Sequence, residues 1–118
     1  MTSGRIDNTK NVAGVSVLKI TGAFTKDTIP DLQKICHEVG RGQDTKGVLL
    51  DFQGVSEIDT SAFACVVNFV KAHATHGVNI GLINLKAQEK VLAEILKVNS
   101  AIRIFDKESE AIAMLSKD

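Results

Sequence analysis

The chain has no Trp, no Tyr and only five Phe among 118 residues. Nucleic-acid bases would therefore find no aromatic platform to stack on. Neither sign of charge is in excess, since fourteen Lys and Arg balance fourteen Asp and Glu. A formal charge of zero supplies no cationic surface for phosphates, so neither nucleic acid nor direct membrane insertion is expected. Long apolar runs are missing too: the uncharged stretch Thr60–Val70 is too short to span a bilayer and carries Thr, Ser and Asn. Met1-Thr2-Ser3-Gly4-Arg5 lacks the apolar segment of an export signal. The two cysteines, Cys36 and Cys65, lie far apart and form no Cys-x-x-Cys pair. They are expected to be reduced thiols of a cytoplasmic protein.

Chemistry-bearing motifs are equally scarce. There is no Gly-rich phosphate loop and no Gly-x-Ser-x-Gly nucleophile turn. His73 and His76 stand three apart, but no Cys or carboxylate accompanies them at ligand spacing, and His37 is distant. No metal, no cofactor and no catalytic set is expected, and the chain is not read as an enzyme. What is present is an ordinary globular balance, 44% hydrophobic and 24% charged. One domain over residues 1–118 is expected, with 1–13 either an edge strand or loosely ordered.

Hydrophobic period then switches repeatedly along the chain. Gly14–Thr21 alternates as a strand, with Val15, Val17 and either Leu18 or Ile20 facing a core, and Gly22 is expected to end it. Thr28, Pro30 and Asp31 read as the capped start of a helix carrying Ile29, Leu32, Ile35 and Val39, with Gly40 and Gly42 able to terminate it. Gly47–Phe52 reads as a strand covered on both faces, followed by a turn at Gln53-Gly54. A helix is expected from Asp59-Thr60-Ser61 to about His76, stopped by Gly77. Val78–Asn84 reads as a further strand. Lys86–Val98 reads as a helix with Ala87, Val91, Leu92, Ile95 and Val98 on one side. Ile102–Phe105 makes a last short strand. Asp106 is expected to cap a final helix, with Glu108 and Glu110 at its positive end and Lys117 at the other. Strand alternating with helix implies an α/β domain with a mixed β-sheet and about four α-helices.

The stretch richest in chemistry runs from Val48 to Ala62. An acid and two hydroxyls, Asp59-Thr60-Ser61, open a helix, where unpaired backbone N–H groups and the positive end of the dipole gather. The bland reading is three capping residues. The functional reading is a hydroxyl that accepts a phosphate without harm to the fold, because helix N-termini accommodate anions. A helical wheel puts Phe63, Val66, Val67, Val70 and Ala74 toward the sheet, and Ser61, Ala64, Asn68, Lys71 and Thr75 toward water. A third stripe of Ala62, Cys65, Phe69, Ala72 and His76 lies between them, and Phe69 either packs inside or docks a partner. Asp44, Asp51, Glu57 and Asp59, with only Lys46 among them, are either solvated acids or a surface for a basic partner.

Leu50-Asp51-Phe52, Gly54-Val55 and Ile58-Asp59-Thr60-Ser61, in this order of elements, resemble the STAS domain of bacterial anti-sigma factor antagonists. The likeness extends from about Val15 to the end of the chain. It implies a STAS-like α/β fold and a role in signal transduction and transcription regulation through protein–protein contact. Carried over by position, the motif acid is Asp59 and the phosphorylated hydroxyl is Thr60, with Ser61 as the alternative. Asp59, Thr60, Ser61, Ala62, Cys65 and Phe69 would then form the partner interface. The implied partners are an anti-sigma factor or Ser/Thr protein kinase, and a phosphatase. STAS scaffolds and adaptor subunits of signalling or lipid-transport assemblies share the pattern, and there Thr60 and Ser61 would be caps only.

Overall fold

The computed structural model describes residues 4–40, 45–64, 66, 68, 79–95 and 103–116, with side chains at all of these except Asn8, Cys36, His37, Val39 and Gly40. It opens on a hairpin. Strand β1 (Arg5–Val12) pairs antiparallel with β2 (Val15–Phe24) across Ala13-Gly14, both at positive φ (53° and 85°). Two left-handed residues match the twist that a two-residue hairpin requires. Helix α1 (Ile29–Gly40) leads to β3 (Gly47–Ile58), and α2 begins at Thr60 and is described over 60–64 and at 66 and 68. Strand β4 (Asn79–Ile83), helix α3 (Ala87–Ile95), strand β5 (Arg103–Phe105) and helix α4 (Glu108–Leu115) complete the order. The five strands lie in sequence order, β1 antiparallel and the rest parallel. The fold is therefore α/β with a mixed sheet, as the period changes predict.

Both faces of the sheet carry cores. Leu18, Ile20, Phe24, Leu50, Phe52 and Leu82 point to the face covered by Leu32 of α1, Phe63 and Val66 of α2 and Ala93 of α3. Val15, Val17, Leu49 and Ile83 point to the other, covered by Ala111 and Leu115 of α4. Successive residues Val17 and Leu18 are both buried because they point to opposite sides of a covered sheet. Lys10 of β1 reaches Glu108 of α4 at 2.8 Å.

Several boundaries differ from the sequence reading, each for a local reason. Gly22 does not end β2: it lies inside the strand at φ 79°, beside an irregularity in its pairing with β3. Gln53-Gly54 is no turn either. β3 continues to Ile58 and absorbs two extra residues against β2, since Lys19 pairs with Asp51, Thr21 with Gly54 and Ala23 with Glu57. These two bulges space the inward residues Phe52, Val55 and Ile58 three apart instead of two. A Cβ on Gly54 would lie 2.7 Å from Thr21 Cγ2, so the first bulge brings β2 and β3 too close for a side chain there. Asp51 is accordingly mid-strand and not strand-ending. Thr28 is 3% exposed, and its hydroxyl donates to the Ala23 carbonyl at 3.0 Å and accepts from Thr25 N–H. It ties α1 back to β2 and does not cap forward. Asp106 does not cap α4. Lys107 holds that position without a side-chain bond, and Asp106 meets Lys90 at 3.3 Å. Val39 as a core side chain, Gly42, Gly77, Val98 and Lys117 lie outside what is described.

Helix α3 does not bury the whole of its apolar side. Glu89 and Ala93 are buried, Leu92 is partly buried, and Ala87, Val91 and Ile95 face solvent, the last two 55% and 70% exposed. The rotation is fixed at the helix entrance. Glu89 Oε1 accepts the Lys86 backbone N–H at 2.8 Å, half of a capping box, while the Lys86 ammonium donates to the Val55 carbonyl and Leu85 enters the core. Val91→Lys and Ile95→Lys are each expected to change stability by less than about 0.5 kcal/mol. Ala93→Lys is expected to cost about 3 kcal/mol or more, because it strands an ammonium among apolar side chains. Urea unfolding of the three variants checks the orientation, and the reverse ranking would overturn it.

Candidate functional site

The site is the junction where β3 gives way to α2, at the carboxyl end of the parallel strands. Asp59 fixes the geometry through three bonds. Its backbone N–H donates to the carbonyl of Phe24, the last residue of β2, at 2.8 Å. Its carbonyl accepts the Phe63 N–H at 3.0 Å, closing the first helical turn. Its carboxylate Oδ1 accepts the Ser61 N–H at 2.8 Å. Asp59 is thus the N-cap, and Thr60 and Ser61 are the first two helical residues.

Both hydroxyl-bearing residues are exposed. Among the described residues, neither hydroxyl has a hydrogen-bond partner, so each is directed to solvent from a helix end held at its base. That base is aromatic. The ring of Phe52 on β3 stands edge-on to Phe24 of β2, centroids 5.3 Å apart, and 6.0 Å from Phe63 of α2. All three rings are fully buried. The sequence shows five Phe but no spacing that links these three. Only the register of β2 on β3, with its two bulges, stacks them beneath the helix start.

Of the other expected interface residues only Ala62 is described. Ala62 is 0% exposed and belongs to the core, because the helix turns it toward the sheet, so it cannot touch a partner directly. Phe63 and Val66 are buried and Ser61 and Asn68 exposed, as the wheel predicts. Cys65, Phe69, His73 and His76 lie outside the described residues, as do Val67, Val70, Lys71, Ala72, Ala74 and Thr75. Of the four acids, Glu57 and Asp59 lie together at the far end of β3 and Asp51 lies mid-strand, with Lys46 just before the strand begins, while Asp44 is outside the described residues. Asp51 is spent on the scaffold: its Oδ1 accepts both the Gln53 N–H and the Asn84 side-chain amide at 2.9 Å. Asn84 sits at φ 62° where β4 ends, in the left-handed region that Asn tolerates.

Among the described residues no group of three or more His, Cys, Asp or Glu could hold a metal ion, and no helix is long and apolar enough to cross a membrane. The parallel strands β2 to β5 follow one another without a reversal of order, and α1, α2 and α3 all lie on one face. Ligand crevices in such sheets open where strand order reverses, and the described strands show no reversal. What the junction offers is an exposed helix start whose two hydroxyls have no hydrogen-bond partner among the described residues.

Comparison with known proteins accords with this fold. A family model of the STAS domain matches residues 8–111. Among solved structures, TM1081 from Thermotoga maritima, a candidate anti-sigma factor antagonist, shares 18% identity over 92% of each chain with a TM-score of 0.78. The anti-sigma factor antagonist SpoIIAA in its unphosphorylated form shares 12% identity over 98% of this chain and all of its own (100%), TM-score 0.71. A sulfate transporter family protein from Wolinella succinogenes shares 19% over 91% of this chain and 88% of its own, TM-score 0.74. At these identities the likeness concerns the fold. No curated protein sequence matches significantly.

Proposed function

The chain belongs to the STAS domain family, and from that premise we propose that it is an anti-sigma factor antagonist switched by phosphorylation. Unmodified, it binds an anti-sigma factor or Ser/Thr protein kinase in the cytoplasm through the Asp59-Thr60-Ser61 surface. Phosphorylated at Thr60, or at Ser61 beside it, it releases that partner, and a phosphatase restores binding. The observation that carries this reading is the pair of exposed hydroxyls on the first turn of α2, without a hydrogen-bond partner among the described residues and above a buried aromatic base. A phosphate there meets the positive end of the helix dipole, so the fold tolerates it. A desolvated partner contact does not tolerate it, because the added charge is left unpaired. SpoIIAA, which shares the fold, is an antagonist with an unphosphorylated form.

Incubation with ATP and the cognate kinase, followed by site mapping, is expected to place the phosphate on Thr60 or Ser61. Phosphate found only elsewhere overturns the assignment. The likeness to a sulfate transporter family protein supports a second reading, a constitutive adaptor in which both hydroxyls are helix caps only. The two separate on Thr60→Asp, which abolishes binding in the first reading and leaves it intact in the second.

A further inference from the structure

The open edge of β1 borders a groove that the Thr60 site does not use. Arg5 and Ile6 form one wall, and Asp31, Lys34, Ile35 and Glu38 of α1 the other, around a volume of about 380 Å³. The two walls run in the same direction, because α1 returns antiparallel to β2 and β1 is antiparallel to β2 as well. A Cβ on Gly4 would lie 2.7 Å from Thr28 Oγ1, which places the start of β1 beside the start of α1. Ile35 is half-buried against the core and gives the groove an apolar floor.

Among the described residues no strand neighbours the outer edge of β1, so its outward N–H and C=O groups are available to pair. The irregularity between Asn8 and Lys10 limits the straight part of that edge to about residues 4–8. Charge on the rim is uneven. Arg5 is already engaged by Asp7 at 3.1 Å, whereas among the described residues Asp31, Lys34 and Glu38 form no ion pair. The unpaired set is two acids at the ends with one cation between them.

We propose that this groove receives an extended segment of a partner protein, which adds a short strand to the free edge of β1. The segment carries an aliphatic side chain over Ile35 and a basic side chain at the alternate position on either side. Alternate residues of a strand project to one face, and four strand residues span about 13 Å, against about 10 Å from Asp31 to Glu38 along the helix. The flanking basic groups therefore reach the two acids. Lys34, between them, disfavours a third basic group at the centre. Main-chain pairing supplies affinity and the alternate side chains supply selectivity, the mode by which edge strands beside a helix capture peptides. This docking edge is separate from the Thr60 switch and stands whether or not Thr60 is phosphorylated.

The test titrates isotope-labelled protein with the peptide acetyl-Lys-Thr-Val-Thr-Lys-amide and follows backbone amides by NMR. Shifts are expected in residues 4–8 and 31–38, saturating with peptide. N-methylation of the peptide backbone at alternate residues is expected to weaken binding about tenfold, through lost main-chain hydrogen bonds. The double variant Asp31→Lys, Glu38→Lys changes two exposed positions and is expected to reverse the preference toward acetyl-Glu-Thr-Val-Thr-Glu-amide. Absence of shifts in residues 4–8 at millimolar peptide overturns the proposal. So does an affinity unchanged by N-methylation, or a double variant that keeps the original preference.

Discussion

Phe52→Ala is expected to cost about 4 kcal/mol of folding stability, the largest effect of any single truncation at the junction. The ring is fully buried and contacts both Phe24 and Phe63, so its removal opens a cavity where β2, β3 and α2 meet. It also removes two ring–ring contacts, each worth about 1 kcal/mol beyond the buried area. Against a total stability of about 5–15 kcal/mol, the loss is a large fraction. Phe52→Leu retains most of the volume and is expected to cost less than half as much. Urea unfolding of both variants measures the difference. A Phe52→Ala cost below about 1 kcal/mol would show that the rings do not support the helix start.

Under the proposed function, Thr60→Glu is expected to do the opposite, sparing the fold while destroying the proposed partner contact. The new carboxylate stands at the first helical position, where the dipole favours a negative charge by about 0.3–1 kcal/mol, so the melting temperature is expected to hold or rise slightly. Partner affinity is expected to fall tens- to thousands-fold, since an unpaired charge in a desolvated contact costs about 2–5 kcal/mol. A true phosphate, carrying about −1.5 to −2 charges, is expected to act at least as strongly. Calorimetry with the anti-sigma factor or kinase, beside a thermal melt, reads both quantities. Unchanged affinity in Thr60→Glu and in phosphorylated protein would remove Thr60 from the contact. A fall in melting temperature that tracks the loss of binding would make the effect structural instead.

Much of this fold is legible in the sequence because its elements differ in hydrophobic period. The both-face apolar run Val48-Leu49-Leu50 marks a covered central strand, and the polar punctuation around it separates strands from helices. Asp59 as a helix start is equally plain, since an acid before two hydroxyls and an apolar helix face has few other uses. What is not legible is any feature set by tertiary register. Val55 and Ile58 follow Phe52 at intervals of three, which read as the end of a strand because alternation assumes pairing without bulges. On α3, the stripe Ala87, Val91, Ile95 is as apolar as the face that is buried. A single hydrogen bond from the Lys86 N–H to the Glu89 carboxylate and the anchoring of the Lys86 ammonium on β3 decide between them, and composition cannot register either. Thr28 has the right residues around it for a cap, but its hydroxyl finds the Ala23 carbonyl first.

The two irregular steps in β3 also bear on how far the segment between Phe52 and Asp59 tolerates a change of length. Run straight, the strand would pass Phe24 by two residues and carry Asp59 about 7 Å beyond the rim of the sheet, out of reach of the carbonyl that anchors it. The surplus is instead folded into the ladder as slack. A deletion of one residue there would shorten the slack and leave the helix start in place. The same deletion among residues 48–51 would swap the two faces of a covered strand and unpack both cores.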